Sequence, residues 1–308
     1  MKITFFTLDK EAGTAWLRAG MIAHYLNFEN KRKSQWVSLQ ELKNSPDIVV
    51  DNFIKSLGKD DCVVFVKTLY EEDLVKQIRD RCGLVILDPS DDTRIKERLY
   101  WKDLVDGVLY DTDYQKTQLE LLGYKNPLEV KHLHSNFDSN FKQIRKLQSP
   151  IHIVGYLGLT QQFDNLEDAV KKITNVGLGW YQASPNPKTN NIHTTRLDCQ
   201  IVHVNKTENR EYALKTKPHN KLINCLSFGI PTIYSPYDSY LKAVKSYPTL
   251  EWLCDESLDN KIKKLLMMIF DQNLHKKACD ESFDLSRRYH VSNYQNCYEG
   301  MFQLIDSR

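Results

Sequence analysis

The chain has 308 residues, 41% hydrophobic and 27% charged, with 42 Lys+Arg against 40 Asp+Glu for a net charge of +2. That balance supplies ordinary cores for one or two domains and excludes a disordered or low-complexity chain. There is no long apolar run and no charged-then-apolar leader before the strand-like start Met1-Lys2-Ile3-Thr4-Phe5-Phe6-Thr7-Leu8, so a soluble, cytoplasmic protein without a transmembrane segment is expected.

Short β-like runs alternate with helix-length amphipathic segments, the pattern of parallel sheets wound with helices. Strands are expected over 3–7, 35–38, 62–66, 84–87, 107–110 and 128–132, with helices near 14–26, 48–57, 71–81, 94–104 and 113–122. The turn-forming stretch Ser135-Asn136-Phe137-Asp138-Ser139-Asn140-Phe141 then breaks the pattern, and a charged helix over 141–147 leads to Ser149-Pro150. Beyond it, strands are expected over 151–155, 178–182, 199–204, 232–234 and 250–253, with helices near 165–174, 218–228, 237–244 and 258–270 and two more from 274 to the end. The expected organisation is an N-terminal Rossmann-like domain over 1–140, a C-terminal one over 150–290, and a last helix in 291–308 long enough to return to the first domain.

Residues 1–150 hold 23 Lys+Arg and 23 Asp+Glu, so the positive balance comes from the second half. Nucleic acid is therefore disfavoured as a partner, because a domain that tracks DNA carries a basic excess. The run Lys31-Arg32-Lys33 reads more simply as the C-terminal turn of a helix. The seven cysteines are odd in number and lack C-x-x-C spacing, which predicts reduced, packed thiols without a zinc site or disulfides.

The chemistry concentrates between Lys215 and Ile233. Pro218 suits a first helical position, Leu222, Ile223 and Leu226 give an apolar face, and Gly229 with Pro231 stops the helix before the strand 232–234. Lys217 and Lys221 fall four apart beside amide N–H groups that no helical turn satisfies. Two like charges so placed oppose an isolated helix by a few tenths of a kcal/mol, so they are either solvated surface lysines or the two sides of a phosphate site. Gly155-Tyr156-Leu157-Gly158 follows the first strand of the second half and is either a plain turn or a close backbone approach to phosphate or sugar. Asp198 begins the strand 199–204, where capping or a turn is its simpler role, and His203 near the strand's carboxyl end either lines a ligand site or sits in the core, while Ser235-Pro236-Tyr237-Asp238 stands just past the 232–234 strand, where α/β sheets bind ligands.

Lys217, Pro218, Asn220, Lys221, Leu222, Gly229 and Pro231 together resemble the Lys-Pro-x-Asn-Lys-Leu, helix, Gly-x-Pro element of the donor domain in GT-B type glycosyltransferases. The resemblance implies two Rossmann-like domains facing across a cleft and transfer of a sugar from a nucleotide-sugar donor to a glycan or other hydroxyl acceptor. It places Gly155, Gly158, Lys217, Asn220, Lys221, Asn224, Ser235 and Asp238 at the donor and its diphosphate. Many relatives carry glutamates where this chain has Thr216 and Asn224, which leaves the nucleotide and the stereochemical outcome open. In this fold the helix dipole and lysines usually supply the positive charge, so no metal and no cofactor is expected.

The first domain would hold the acceptor and a base. Asp88-Pro89-Ser90-Asp91-Asp92 resembles the Asp-x-x-Asp-Asp of a subset of these transferases, and Asp91 and Asp92 become the catalytic candidates, with helix capping by Asp92 and an Asp-x-Asp-like metal site as rival readings. A non-catalytic nucleotide-sugar or phosphate binder and a nucleotide-sugar-modifying Rossmann enzyme are the alternatives. The second requires a Tyr-x-x-x-Lys pair, which Tyr237 and Lys242 miss by one residue.

Overall fold

The computed structural model describes residues 1–11, 13–29, 31–44, 48–90, 93–136, 150–184, 190–204 and 208–308. The chain divides into two compact units, Met1–Leu133 with Val291–Arg308, and His134–His290. The helix over 141–147 and the turn residues 137–141 lie outside the described residues.

In the first unit six strands form one parallel sheet: β1 (Ile3–Thr7), β2 (Ser34–Ser38), β3 (Cys62–Val66), β4 (Leu84–Asp88), β5 (Gly107–Tyr110) and β6 (Pro127–Glu129), in the order β2-β1-β3-β4-β5-β6. Side chains alternate across the pleat, so Ile3, Phe5, Val64 and Ile86 pack on one face with the helices Met21–Phe28 and Glu299–Asp306. Phe6, Val63, Phe65 and Leu87 pack on the other with Val75, Ile78 and Trp101. The helix expected over 94–104 is two short pieces, Thr93–Lys96 and Trp101–Leu104. Arg98 and the Tyr100 hydroxyl both donate to the Tyr70 carbonyl, at 2.8 and 2.6 Å, and pull the chain out of helical register between them. The basic turn follows the helix Met21–Phe28 and is locally neutralised: Lys31 pairs with Glu29 at 3.5 Å, and Arg32 with Asp306 at 2.6 Å.

In the second unit β7 (Ile153–Leu157), β8 (Gly179–Ala183), β9 (Cys199–Val202) and β10 (Thr232–Tyr234) form a parallel sheet in the order β10-β9-β7-β8. Strand order reverses between β7 and β9, which makes the carboxyl ends of these two strands the crevice where open α/β sheets take ligands. Asp198 accepts from His152 N at 2.9 Å and Ile153 N at 2.8 Å and so fixes the entry to β7. The run 250–253, expected as a strand, belongs instead to the helix Pro248–Trp252. Proline at a first helical turn and the Glu281 carboxylate, which accepts from Thr249 N at 2.9 Å and Leu250 N at 3.1 Å, satisfy that helix start.

None of the seven cysteines forms a disulfide, and six of them are buried. Among the described residues no helix is long and apolar enough to cross a membrane.

Candidate functional site

The donor-type segment folds as two helices, Glu208–Thr216 and Asn220–Leu226. The second begins two residues after Pro218, which is buried ahead of it rather than at its first position. It stops where the sequence predicts: Gly229 takes φ +70°, Ile230 N donates to Cys225 O at 3.2 Å, and Gly229 N donates to Leu226 O at 2.9 Å.

Lys221 is held at both ends. Gln200, from inside β9, donates its amide to the Lys221 carbonyl at 3.0 Å. The Lys221 ammonium donates to Tyr156 Oη and to Gln162 Oε1, each at 2.7 Å, and lies 4.9 Å from the centre of the Tyr156 ring. Tyr156 comes from β7 and Gln162 from the turn after it, so the positive charge is fixed at the carboxyl end of the strand where the order switches. Gly158 makes room for it, since a β-carbon there would stand 2.8 Å from Lys221 Nζ and 2.6 Å from Tyr156 Oη. Lys217 is tied by its backbone, its carbonyl accepting from Ser239 Oγ at 2.6 Å. The Asn220 side chain accepts from Lys221 N at 2.8 Å and thereby sets the first turn.

Other sequence-chosen residues are placed differently. Gly155 lies within β7, and a β-carbon there would meet the Tyr181 carbonyl oxygen at 2.0 Å, so its task is the approach of β7 to β8. Asn224 turns its Oδ1 to Ser135 N at 2.8 Å, and Ser135 Oγ reaches Asn191 Oδ1 at 2.9 Å. Thr216 is buried and donates back to Tyr212 O at 2.8 Å. Ser235 is buried too, its hydroxyl accepting from Val204 N at 2.8 Å and from Lys261 Nζ at 2.6 Å. It faces the interior. Asp238 opens the helix Asp238–Val244 and is exposed.

In the first unit, Asp91 and Asp92 lie outside the described residues. The segment leading to them is tightly made. Asp88 Oδ1 accepts from Ser90 N at 3.0 Å, and the Ser90 carbonyl accepts from Gln115 Nε2 at 2.9 Å. Ser90 and Lys67 adopt positive φ, +52° and +76°, at the carboxyl ends of β4 and β3. Beneath them the fully buried Arg18, from the π-helical turn Trp16–Gly20, pairs with Asp111 and lies 3.5 Å from Asp88. Burial opposes its charge, yet Asp111, Asp88 and Tyr298 raise its pKa above the ordinary value. His134, the first residue of the second unit, lies in a buried histidine pair. Burial, with His290 beside it, pushes its pKa down to about 3, so it stays neutral.

Tyr156, Gln162 and Gln200 escape a sequence reading as supports of Lys221. The one signal for them is Tyr156 inside the Gly155–Gly158 motif.

No protein-family model matches the chain, and no curated protein matches it in sequence. Solved structures match its fold over the whole length. HepE of Anabaena, solved with UDP-glucose, is 12% identical with a TM-score of 0.62, covering 99% of this chain and 100% of its own. Sucrose-phosphate synthase of Thermosynechococcus elongatus is 10% identical with a TM-score of 0.63, over 100% and 99%. A glycosyltransferase of Rickettsia africae is 11% identical with a TM-score of 0.59, over 99% and 98%. Two Rossmann-like parallel-sheet units and these neighbours define a GT-B type fold.

Proposed function

We propose that the chain is a glycosyltransferase that moves a sugar from a nucleotide-sugar donor to a hydroxyl acceptor. The carrying observation is the Lys221 ammonium, pinned by Tyr156 and Gln162 over the backbone of Gly158 at the carboxyl end of β7. A fixed charge there neutralises the diphosphate that departs when the glycosidic bond to it breaks, and because it is already oriented it needs no reorganisation during the reaction. Lys217 and Asn220 supply the adjoining contacts, and no metal is needed for this neutralisation. That HepE is solved with UDP-glucose makes uridine nucleotides the first ligands to try.

The base is proposed to be Asp91 or Asp92, taking the proton of the acceptor hydroxyl. Asp91→Asn or Asp92→Asn then lowers turnover by about 10²-fold with nucleotide affinity unchanged. Seven thiols outside any disulfide fit a reducing compartment, and we place the protein in the cytoplasm.

The deciding experiment is UDP titration by calorimetry. Lys221→Ala is expected to weaken binding by about 1.5–3 kcal/mol, as loss of a charge-assisted contact implies, with little change in melting temperature. Unchanged affinity removes the donor site from Lys221. One observation favours a second reading, a nucleotide-sugar binder without turnover: Asn224 occupies a position where many GT-B relatives carry a glutamate, and its oxygen is already bonded to Ser135. UDP-glucose that binds but releases no UDP with any acceptor would select that reading.

A further inference from the structure

The carboxyl ends of β9 and β10 carry a charged group that donor neutralisation does not use. Lys261 stands in the apolar stripe of the helix Leu258–Phe270, among Leu258, Ile262 and Leu265, and is 0% exposed. Its Nζ donates to Val202 O at 3.0 Å and to Ser235 Oγ at 2.6 Å, and lies 3.0 Å from His203 Nδ1. With Nδ1 as acceptor the network assigns His203 as the neutral tautomer protonated at Nε2, and three acceptors then meet the three N–H bonds of an ammonium. Ser235 Oγ also donates to Val204 O at 3.0 Å. One lysine therefore ties the last residue of β9, the two residues after it and the first residue after β10.

Groups from several elements face this amine. Asp255 and Asp164 favour its charge, as would a Cys254 thiolate, while Lys264, one turn along the same helix, opposes it. Burial outweighs them and brings the lysine down to about 7. A neutral amine keeps two N–H bonds and turns a lone pair toward the third acceptor, so the tie is complete only in the protonated form. A path of rings runs from here to the donor charge: His203 to Phe163 at 5.9 Å, Phe163 to Tyr156 at 5.1 Å, and Tyr156 to Lys221 Nζ at 4.9 Å.

We propose that Lys261 is a positioning residue for donor binding: its ammonium fixes the ends of β9 and β10, and a nucleotide-sugar diphosphate bound in this unit draws the amine into its protonated form. The inference rests on the donor reading of this unit. Binding and protonation are linked, so donor affinity rises as pH falls through neutrality.

The test is calorimetric titration of UDP-glucose into the full chain between pH 6 and 8.5, in buffers of different ionisation enthalpy. The sugar-linked diphosphate does not titrate in that range. Expected are uptake of a fraction of a proton near pH 7 and affinity about threefold or more weaker at pH 8.5 than at pH 6, as linkage to one group of that pKa implies. Lys261→Met abolishes both effects. Should that variant not fold, Ser235→Ala, which removes one acceptor and keeps the lysine, is expected to shift the midpoint of the pH dependence. Retention of the uptake in Lys261→Met with its loss in His203→Gln assigns the proton to the histidine and overturns the proposal. An unshifted midpoint in Ser235→Ala overturns it too. Binding of equal strength at every pH, without proton uptake, overturns it and leaves the donor reading standing. If UDP-glucose and other nucleotide sugars do not bind at all, the donor reading falls and this proposal with it.

Discussion

Lys221 Nζ donates to Tyr156 Oη at 2.7 Å and stands 4.9 Å from the centre of the same ring, although 65 residues separate the two in sequence. The hydroxyl and the ring hold the ammonium by different means. Tyr156→Phe keeps the ring and removes the acceptor, and Gln162 still holds one N–H. We expect UDP binding to weaken by about 1 kcal/mol, roughly fivefold, the worth of one hydrogen bond within a retained network. Calorimetry on the variant checks this, and an unchanged dissociation constant would reduce Tyr156 to a packing residue.

Two glycines of one motif separate fold from site. A β-carbon at Gly155 would stand 2.0 Å from the Tyr181 carbonyl oxygen, a clash with backbone that forces β7 and β8 apart. At Gly158, whose φ is +157°, the nearest atoms are Tyr156 Oη and Cζ, at 2.6 and 2.8 Å, and the flexible end of Lys221 at 2.8 Å. Gly155→Ala is expected to lower the melting temperature sharply or prevent folding. Gly158→Ala gives up some stability to its φ of +157° but should fold, at a smaller cost than Gly155→Ala, and lose nucleotide affinity on the order of tenfold, because the ammonium must move. Parallel thermal melts and UDP titrations compare the two, and equal loss of stability in both would contradict the division of roles.

Much of this was legible because local chemistry repeats. Alternating apolar runs mark nine of the ten strands to within about two residues. Gly229 marks a helix end since its left-handed backbone favours a residue without a side chain. The run 250–253 misleads because three apolar residues around Glu251 suit a short strand or a helix turn equally, and the deciding partner, Glu281, lies far along the chain. Lys221 was legible as a charge but not as a fixed one, since Tyr156, Gln162 and Gln200 arrive from three other segments. Lys261 was not legible at all. A lysine at one place in an apolar stripe reads as a solvated flank until Val202, His203 and Ser235 are seen around its amine.

Charge neutralisation by lysine has a consequence for metals. Once a donor and an acceptor are found, the role proposed for Lys221 at the leaving diphosphate predicts that release of UDP continues in excess EDTA. Complete loss on chelation, restored by Mn²⁺, would move the chemistry to a carboxylate-bound ion, with Asp91 and Asp92 as its first candidates.

Arg18 is a stability determinant of the first unit. It is buried between Asp111 and Asp88, and its removal leaves two carboxylates without the cation that accompanies them. Arg18→Leu is expected to destabilise this unit by about 3–5 kcal/mol, the usual consequence of breaking a buried ion network at one partner. Arg18→Lys should recover only part of that, since a compact ammonium cannot reach two carboxylates with a planar fork. Urea unfolding followed by tryptophan fluorescence measures both, and near-native stability of Arg18→Leu would mean that the carboxylates are relieved by other groups.

Lys261 gives stability a pH dependence of definite sign. Folding lowers its pKa from 10.5 to about 7, with burial as the main cause. Above 10.5 both folded and unfolded chains carry a neutral amine, and no penalty arises. Between 10.5 and 7 the unfolded chain binds the proton and the folded one does not, so stability falls steadily as pH is lowered through this window. Below 7 both are protonated and the full burial penalty remains. The difference in unfolding free energy between the parent and Lys261→Met should therefore shift in the parent's favour from pH 7 to pH 9, by about 1.4 kcal/mol per pH unit at most. Urea titrations at pH 6, 7, 8 and 9 give that difference directly. A difference constant over the range would mean that Lys261 keeps its proton throughout, with the ammonium supported by Val202, His203 and Ser235 strongly enough to offset its burial.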